Sequence, residues 1–155
     1  MDQLKIEGII IKKLKIIPNS KGDVMHMIRN DEQGFKSFGE CYFSEVNPLT
    51  IKGWKKHIAQ TQNLSVPIGR LKLVLFDDRE NSETHKNIEE ITLGRPDFYY
   101  RIQIPPGIYY SFKCVTKSPS LIVNFTDIPH DINESLTLDL NNSYIPYKWK
   151  QKKNT

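Results

Sequence analysis

The stretch Y-Y-R-I-Q-I-P-P-G-I-Y-Y-S-F-K-C, Tyr99 to Cys114, decides the fold class. Two runs rich in aromatic and β-branched residues, Tyr99 to Ile104 and Tyr109 to Cys114, flank Pro105-Pro106-Gly107. Apolar runs separated by turn formers are the pattern of consecutive strands. The pattern repeats upstream over Ile9 to Ile17, Val24 to Ile28, Gly39 to Ser44, Ile51 to His57, Asn63 to Val66, Leu71 to Phe76 and Ile88 to Leu93, and downstream over Leu121 to Phe125 and Leu136 to Leu140. Pro18 to Asp23, Pro67-Ile68-Gly69 and Ser118-Pro119-Ser120 supply further turns, and helical periodicity is nearly absent. So many short strands predict an all-β sandwich or barrel, an architecture that limits exposed strand edges.

A chain of 155 residues is long enough to bury one core and short for two. A single domain over residues 1–149 is expected. The lysine-rich end, from Lys148 onward, has no apolar partners in the sequence and is expected to fray, with 150–155 outside the domain. Twenty-two Lys and Arg against 18 Asp and Glu leave a net charge of +4, which suits an anionic ligand without demanding nucleic acid. No run approaches the roughly 18 apolar residues of a membrane span, and the N-terminus lacks the order of a signal peptide, so no membrane partner and a cytoplasmic location are expected. Cys41 and Cys114 lie in strand-like surroundings with no CxxC spacing; structural thiols are the favoured reading, with a disulfide between them left open.

Arg70 to Phe76, R-L-K-L-V-L-F, ends wholly apolar, which places one end of that strand deep in the core. In Ile51 to His57, plain alternation puts Ile51, Gly53, Lys55 and His57 on one face and Lys52, Trp54 and Lys56 on the other. Tyr110 and Phe112 share a face of their strand. Trp54 and the tyrosines around the Pro-Gly turn are expected to pack rather than to stack on a ligand.

Lys52-Gly53-Trp54-Lys55-Lys56-His57, then Gln62, Gly69, Asp77-Asp78-Arg79, Ser82, Thr84 and Ile104-Pro105-Pro106-Gly107, stand in an order and spacing that resembles the cupin superfamily. More narrowly, the chain resembles the dTDP-4-dehydrorhamnose 3,5-epimerase family of sugar-nucleotide enzymes, from about Lys21 to Trp149. The resemblance implies a cupin-type jelly-roll β-sandwich or barrel, a homodimer that exchanges a strand, and a pocket for a nucleoside-diphosphate 4-keto-6-deoxy sugar. It further implies a place in the biosynthesis of surface polysaccharides such as lipopolysaccharide. Enzymes of this kind use no metal, and no cofactor is expected.

Epimerisation beside a ketone needs a base, a donor on the opposite face, and positive charge for the enolate and the diphosphate. The resemblance aligns the family's basic His with Lys55, its active-site Lys with Gln62, and its donor Tyr with the segment Val123 to Pro129, which holds no Tyr. The candidate catalytic residues are therefore Lys55 and His57, with Tyr110 in place of the donor. A lysine secluded beside another cation can act as a base. Lys21, Lys52, Gln62 and Arg70 are the candidate substrate-binding residues. Arg79 is a further cation near the nucleotide positions, and with Asp77 it is expected to serve the structure.

The ligand positions of metal-binding cupins read Lys55, His57, Gln62 and Tyr110, one ligand in four, so no metal is expected. The alternatives are 3,4-ketoisomerisation on the same kind of substrate, or a non-catalytic cupin that binds a sugar nucleotide or a partner protein. Nucleic-acid binding is disfavoured, because the lysines of the tail are not interleaved with aromatics along a β face.

Overall fold

The computed structural model describes residues 4–150. In chain order its strands are β1 (Ile10–Lys13), β2 (Ile16–Ile17), β3 (Val24–Met25), β4 (Glu40–Val46), β5 (Ile51–His57), β6 (Gln62–Ile68), β7 (Arg70–Asp77), β8 (Ile88–Gly94), β9 (Tyr100–Ile104), β10 (Ile108–Cys114), β11 (Ser120–Thr126) and β12 (Ser135–Thr137). They build two five-stranded antiparallel sheets, β1-β9-β6-β11-β4 and β12-β5-β10-β7-β8, with β2 and β3 as a separate hairpin. No helix is present among the described residues, and none is long and apolar enough to cross a membrane.

The sheets face each other across a core of Leu64, Val66, Ile102, Ile104 and Ile122 from the first and Leu71, Leu73, Leu75, Leu93, Ile108 and Phe112 from the second. The second sheet is covered on its outer face as well, where Trp54, Val74, Phe76 and Tyr109 pack with Ile145 from the C-terminal segment. That double burial is why β7 loses its alternation: Leu71, Leu73 and Leu75 fill one core while Val74 and Phe76 fill the other.

Several expectations change: the strands expected over Val24 to Ile28 and Leu136 to Leu140 shorten to β3 and β12. The single strand expected over Ile9 to Ile17 is split, because Ile10–Lys13 pairs with β9 while Ile16–Ile17 leaves that ladder to pair with β3. The chain end does not fray at Lys148: Trp149 Nε1 donates to Ser111 Oγ at 3.0 Å, and its ring meets Tyr147 edge-on. The remainder of the expected tail, 151–155, lies outside the described residues.

The Asp77 to Asn87 loop holds one end of the barrel. Asp77, fully buried, receives Arg79 Nε and Nη2 at 2.8 Å each and the hydroxyls of Ser82 and Thr84 at 2.7 Å each. Burial pushes the Asp77 carboxyl up, but the guanidinium and hydroxyl bonds outweigh it and hold the group far below the usual carboxylate range. Arg79 then packs on Gly107, whose φ of +85° and lack of a Cβ leave room for it. The Gly107 N–H bonds the carbonyl of His57 at 2.8 Å, so the loop fixes the end of β5.

Candidate active site

Strands β5 and β10 pair with one residue too many on β5. Tyr110 opposes Lys55 and Ser111 opposes Gly53, which leaves Trp54 between them without a partner on β10. Trp54 instead exchanges backbone bonds with Leu138 on its other side. Such a bulge shifts the alternation by one. Gly53 has φ +119°, and a Cβ there would stand 2.7 Å from the Cα of Ser111, so the close approach requires glycine.

The faces of β5 follow from its partners, since residues opposite one another share a face. Lys55 opposes inward Tyr110, and Lys52 opposes inward Phe112. Gly53 opposes Ser111, whose hydroxyl meets Trp149 on the outer side. Lys52, Lys55 and His57 therefore face inward together, whereas plain alternation groups Lys55 and His57 with Ile51 and Gly53 and sets Lys52 on the opposite face.

His57 is buried and held from both sides. Its Nδ1 lies 2.6 Å from Glu134 Oε2, and its Nε2 lies 3.0 Å from the Tyr110 hydroxyl. The other carboxylate oxygen, Oε1, accepts three backbone N–H groups, from Ile58 at 3.0 Å, Ala59 at 2.9 Å and Gln60 at 2.7 Å. Burial pushes the Glu134 carboxyl up, but the bond from His57 and those backbone donors outweigh it, so the group stays ionised. Burial likewise pulls the His57 imidazole down, and Glu134 only partly restores it. A neutral imidazole facing a carboxylate at Nδ1 carries its proton there. Its Nε2 lone pair accepts from Tyr110, and burial holds that phenol well above its usual range, so it stays protonated.

Tyr110 forms part of the wall of a cavity of about 330 Å³ between the sheets. Lys52 and Lys55 line it from the second sheet, Tyr42 and Asn124 from the first, with Leu64, Phe112 and Ile122 as apolar surface. Lys52 Nζ reaches the carbonyl of Glu45 at 2.6 Å and so spans the two sheets. Asn124 Nδ2 donates to the Tyr42 hydroxyl at 2.7 Å and also to Gln62 Oε1. Gln62 bonds Gln60 at 2.6 Å, and the Gln60 N–H belongs to the Glu134 set. A belt of buried polar groups thus runs from Tyr42 to His57. Asn124 Oδ1 is buried and has no hydrogen-bond partner among the described residues.

Of the residues singled out in the sequence, Lys55, His57 and Tyr110 come together, and Lys52 joins them. Gln62 stands one layer behind Asn124, fully buried. Arg70 lies elsewhere, at the start of β7, 4.0 Å from Asp97 and over the ring of Phe98, and it lines a separate depression with Arg95 and Asp23. Lys21 occupies the exposed turn between β2 and β3. Arg79 is committed to Asp77. Trp54 is fully buried as packing, Cys41 and Cys114 are free thiols, and no three His, Cys, Asp or Glu side chains converge among the described residues. Sequence reasoning missed Glu134, Tyr42 and Asn124. Glu134 sits in the irregular segment Asp131-Ile132-Asn133-Glu134 with no signal beyond its charge, whereas Tyr42 and Asn124 were legible as inward positions of two strands.

A crystal structure of a dTDP sugar isomerase from Desulfovibrio desulfuricans G20 is 42% identical to this chain, covers 96% of it and 95% of its own length, and superposes with a TM-score of 0.93. The chain belongs to the family of that dTDP sugar isomerase. The spore coat polysaccharide biosynthesis protein SpsL of Bacillus subtilis is 28% identical over 126 residues, covering 81% of this chain and 83% of SpsL. The dTDP-4-dehydrorhamnose 3,5-epimerase of Bacillus anthracis strain Ames, solved with TDP and PPi bound, shares the fold at 17% identity and a TM-score of 0.83, with 95% of this chain and 87% of that one covered. The cupin-type jelly roll of the epimerases is the fold of this chain. No family model matches the sequence.

Proposed function

We propose that the protein moves a proton beside the ketone of a nucleoside-diphosphate 4-keto-6-deoxy sugar, epimerising it in the synthesis of a surface polysaccharide. The observation that carries this reading is His57 held between Glu134 and Tyr110 at the wall of a cavity that also presents two lysines. Because Tyr110, and not His57, lines the cavity, the base acts through the phenol. The Tyr110 oxygen takes the proton from the carbon next to the ketone as its own proton passes to His57 Nε2. The C–H electron pair becomes the enolate, and Glu134 offsets the charge gained by the imidazole. The Lys55 ammonium is placed to stabilise the enolate oxygen. Lys52, which bridges the two sheets, is placed to meet the diphosphate. The unpartnered Asn124 Oδ1 suits a sugar hydroxyl, which would relieve its burial.

The reading includes a homodimer in the cytoplasm, where nucleotide sugars are made. Phe38, beside Phe125, and Phe43, opposite Val123, are exposed, and β1 is an edge strand; a second copy is the proposed cover for both. Light scattering on the purified protein at micromolar concentration tests this: a dimer mass supports it, a monomer mass defeats it.

The chemistry is tested by incubating the protein with dTDP-4-keto-6-deoxy-D-glucose in heavy water and following the sugar carbons by NMR. Deuterium at C3 or C5 with an inverted product supports epimerisation. Deuterium at C4 with the ketone moved to C3 replaces it with ketoisomerisation. Saturable binding of several 4-keto sugars without any label leaves a binding protein and rejects the enzyme.

A further inference from the structure

Inversion requires the proton to leave one face of the carbon and return to the other. The His57–Tyr110 pair serves only one face: both residues stand on the second sheet, and the Tyr110 hydroxyl is already committed to His57 Nε2. Tyr42 stands on β4 in the first sheet and lines the same cavity from the facing wall. Its oxygen accepts from Asn124 Nδ2 at 2.7 Å, and among the described residues no acceptor takes its hydroxyl proton. A phenol whose oxygen is held by a donor and whose proton is uncommitted is arranged to give that proton away. The phenolate left behind keeps the Asn124 amide bond, which stabilises it more than it stabilises the neutral phenol. Asn124 cannot easily turn away, because the belt through Gln62 and Gln60 anchors it. Burial raises the Tyr42 hydroxyl above its ordinary value, which keeps its proton in place at neutral pH.

We propose, on the epimerase reading above, that Tyr42 is the acid that protonates the enolate from the face opposite Tyr110. In this step the Tyr42 O–H bond breaks, the enolate pair forms the new C–H bond, and the carbonyl is restored. After release of product, the phenolate regains a proton from water and the His57 imidazolium returns one to water, so the turnover balances.

The test is Tyr42→Phe with dTDP-4-keto-6-deoxy-D-glucose in heavy water. Deuterium should still enter the starting sugar with retention, since the His57–Tyr110 pair exchanges and returns its proton on one face, while the inverted product falls by about 100-fold or more. Inversion at an undiminished rate overturns the role. Loss of exchange and inversion together, with binding of dTDP unchanged, overturns it too, because Tyr42 then serves deprotonation. If wild type itself neither exchanges nor inverts, the epimerase reading fails, a result distinct from either outcome with the variant. Should Tyr42→Phe misfold, 3,5-difluorotyrosine incorporated at position 42 replaces it. The alkaline limb of the pH–kcat profile must then move to lower pH, and an unmoved limb removes Tyr42 as the acid.

Discussion

Glu134 and His57, 77 residues apart in sequence, meet at 2.6 Å, and the carboxylate oxygen not used by the imidazole is filled by three consecutive backbone N–H groups that follow His57. The carboxylate thus orients the ring and also fixes the turn that leaves β5. Glu134→Gln separates these tasks. Its amide oxygen can keep the backbone donors, but its NH₂ then faces Nδ1 and forces the proton of the imidazole onto Nε2. Deuterium exchange into the substrate should fall by about 100-fold or more while the secondary structure persists. Exchange at the wild-type rate would remove the dyad from the mechanism.

Acid should cost the protein both activity and stability through His57. Its pKa is lowered by burial, so the neutral, basic form persists below the ordinary value of 6.5. The acidic limb of the pH–rate profile should lie below pH 6.5. The unfolded chain takes up this proton at about 6.5 and the folded chain only at lower pH, so between those values the unfolded state binds more protons and stability declines as pH falls. Glu134, also lowered, extends the decline below its ordinary 4.5. Urea melts from pH 8 to pH 4, compared with those of His57→Asn, would show this; identical pH dependence in the two would refute the assignment.

Tyr110→Phe distinguishes relay from direct abstraction. With Tyr110 as the link, removing its oxygen should abolish exchange by about 100-fold or more, even though it frees Nε2 of a hydrogen bond. A variant that exchanges as fast as wild type would mean that the imidazole reaches the carbon itself.

The two inward lysines should divide by kinetic effect. Lys55→Met is expected to lower kcat by roughly 100-fold by removing positive charge from the enolate. Lys52→Met is expected to raise the Kd for dTDP and to flatten its dependence on salt, with little change in kcat. Calorimetry in 50 and 300 mM salt, beside steady-state rates, measures both; a Lys52→Met enzyme that binds dTDP normally would disconnect this lysine from the diphosphate.

Most of the fold could be read from turn chemistry, because glycine, proline and short polar runs interrupt the chain wherever a strand ends. Ile51 to His57 coincides with β5 to the residue. The face of Lys52 could not be read, since an extra residue in a strand leaves no mark in composition and only the pairing with β10 locates it. Lys55, His57 and Tyr110 were accessible as neighbours two apart or on a partner strand. Glu134 was not, because the contact that gives it meaning joins an irregular segment to a distant strand end. Arg70 and Lys21 stand near the nucleotide positions of the resembling family in linear order only, and linear order does not say which end of a barrel a side chain serves.

The unpaired Trp54 sets a phase change within a single strand, and that has consequences for comparing and reshaping molecules of this kind. Aligning columns across the kink by residue type alone exchanges an inward ammonium for an outward indole, so assignments carried between relatives must respect where the extra residue falls. The two halves of β5 are also free to vary separately. Shortening the strand by one position would withdraw Lys52 from the cavity and leave the imidazole where it is, so under the proposed mechanism contact with the anionic part of the substrate could diverge without disturbing the proton transfer.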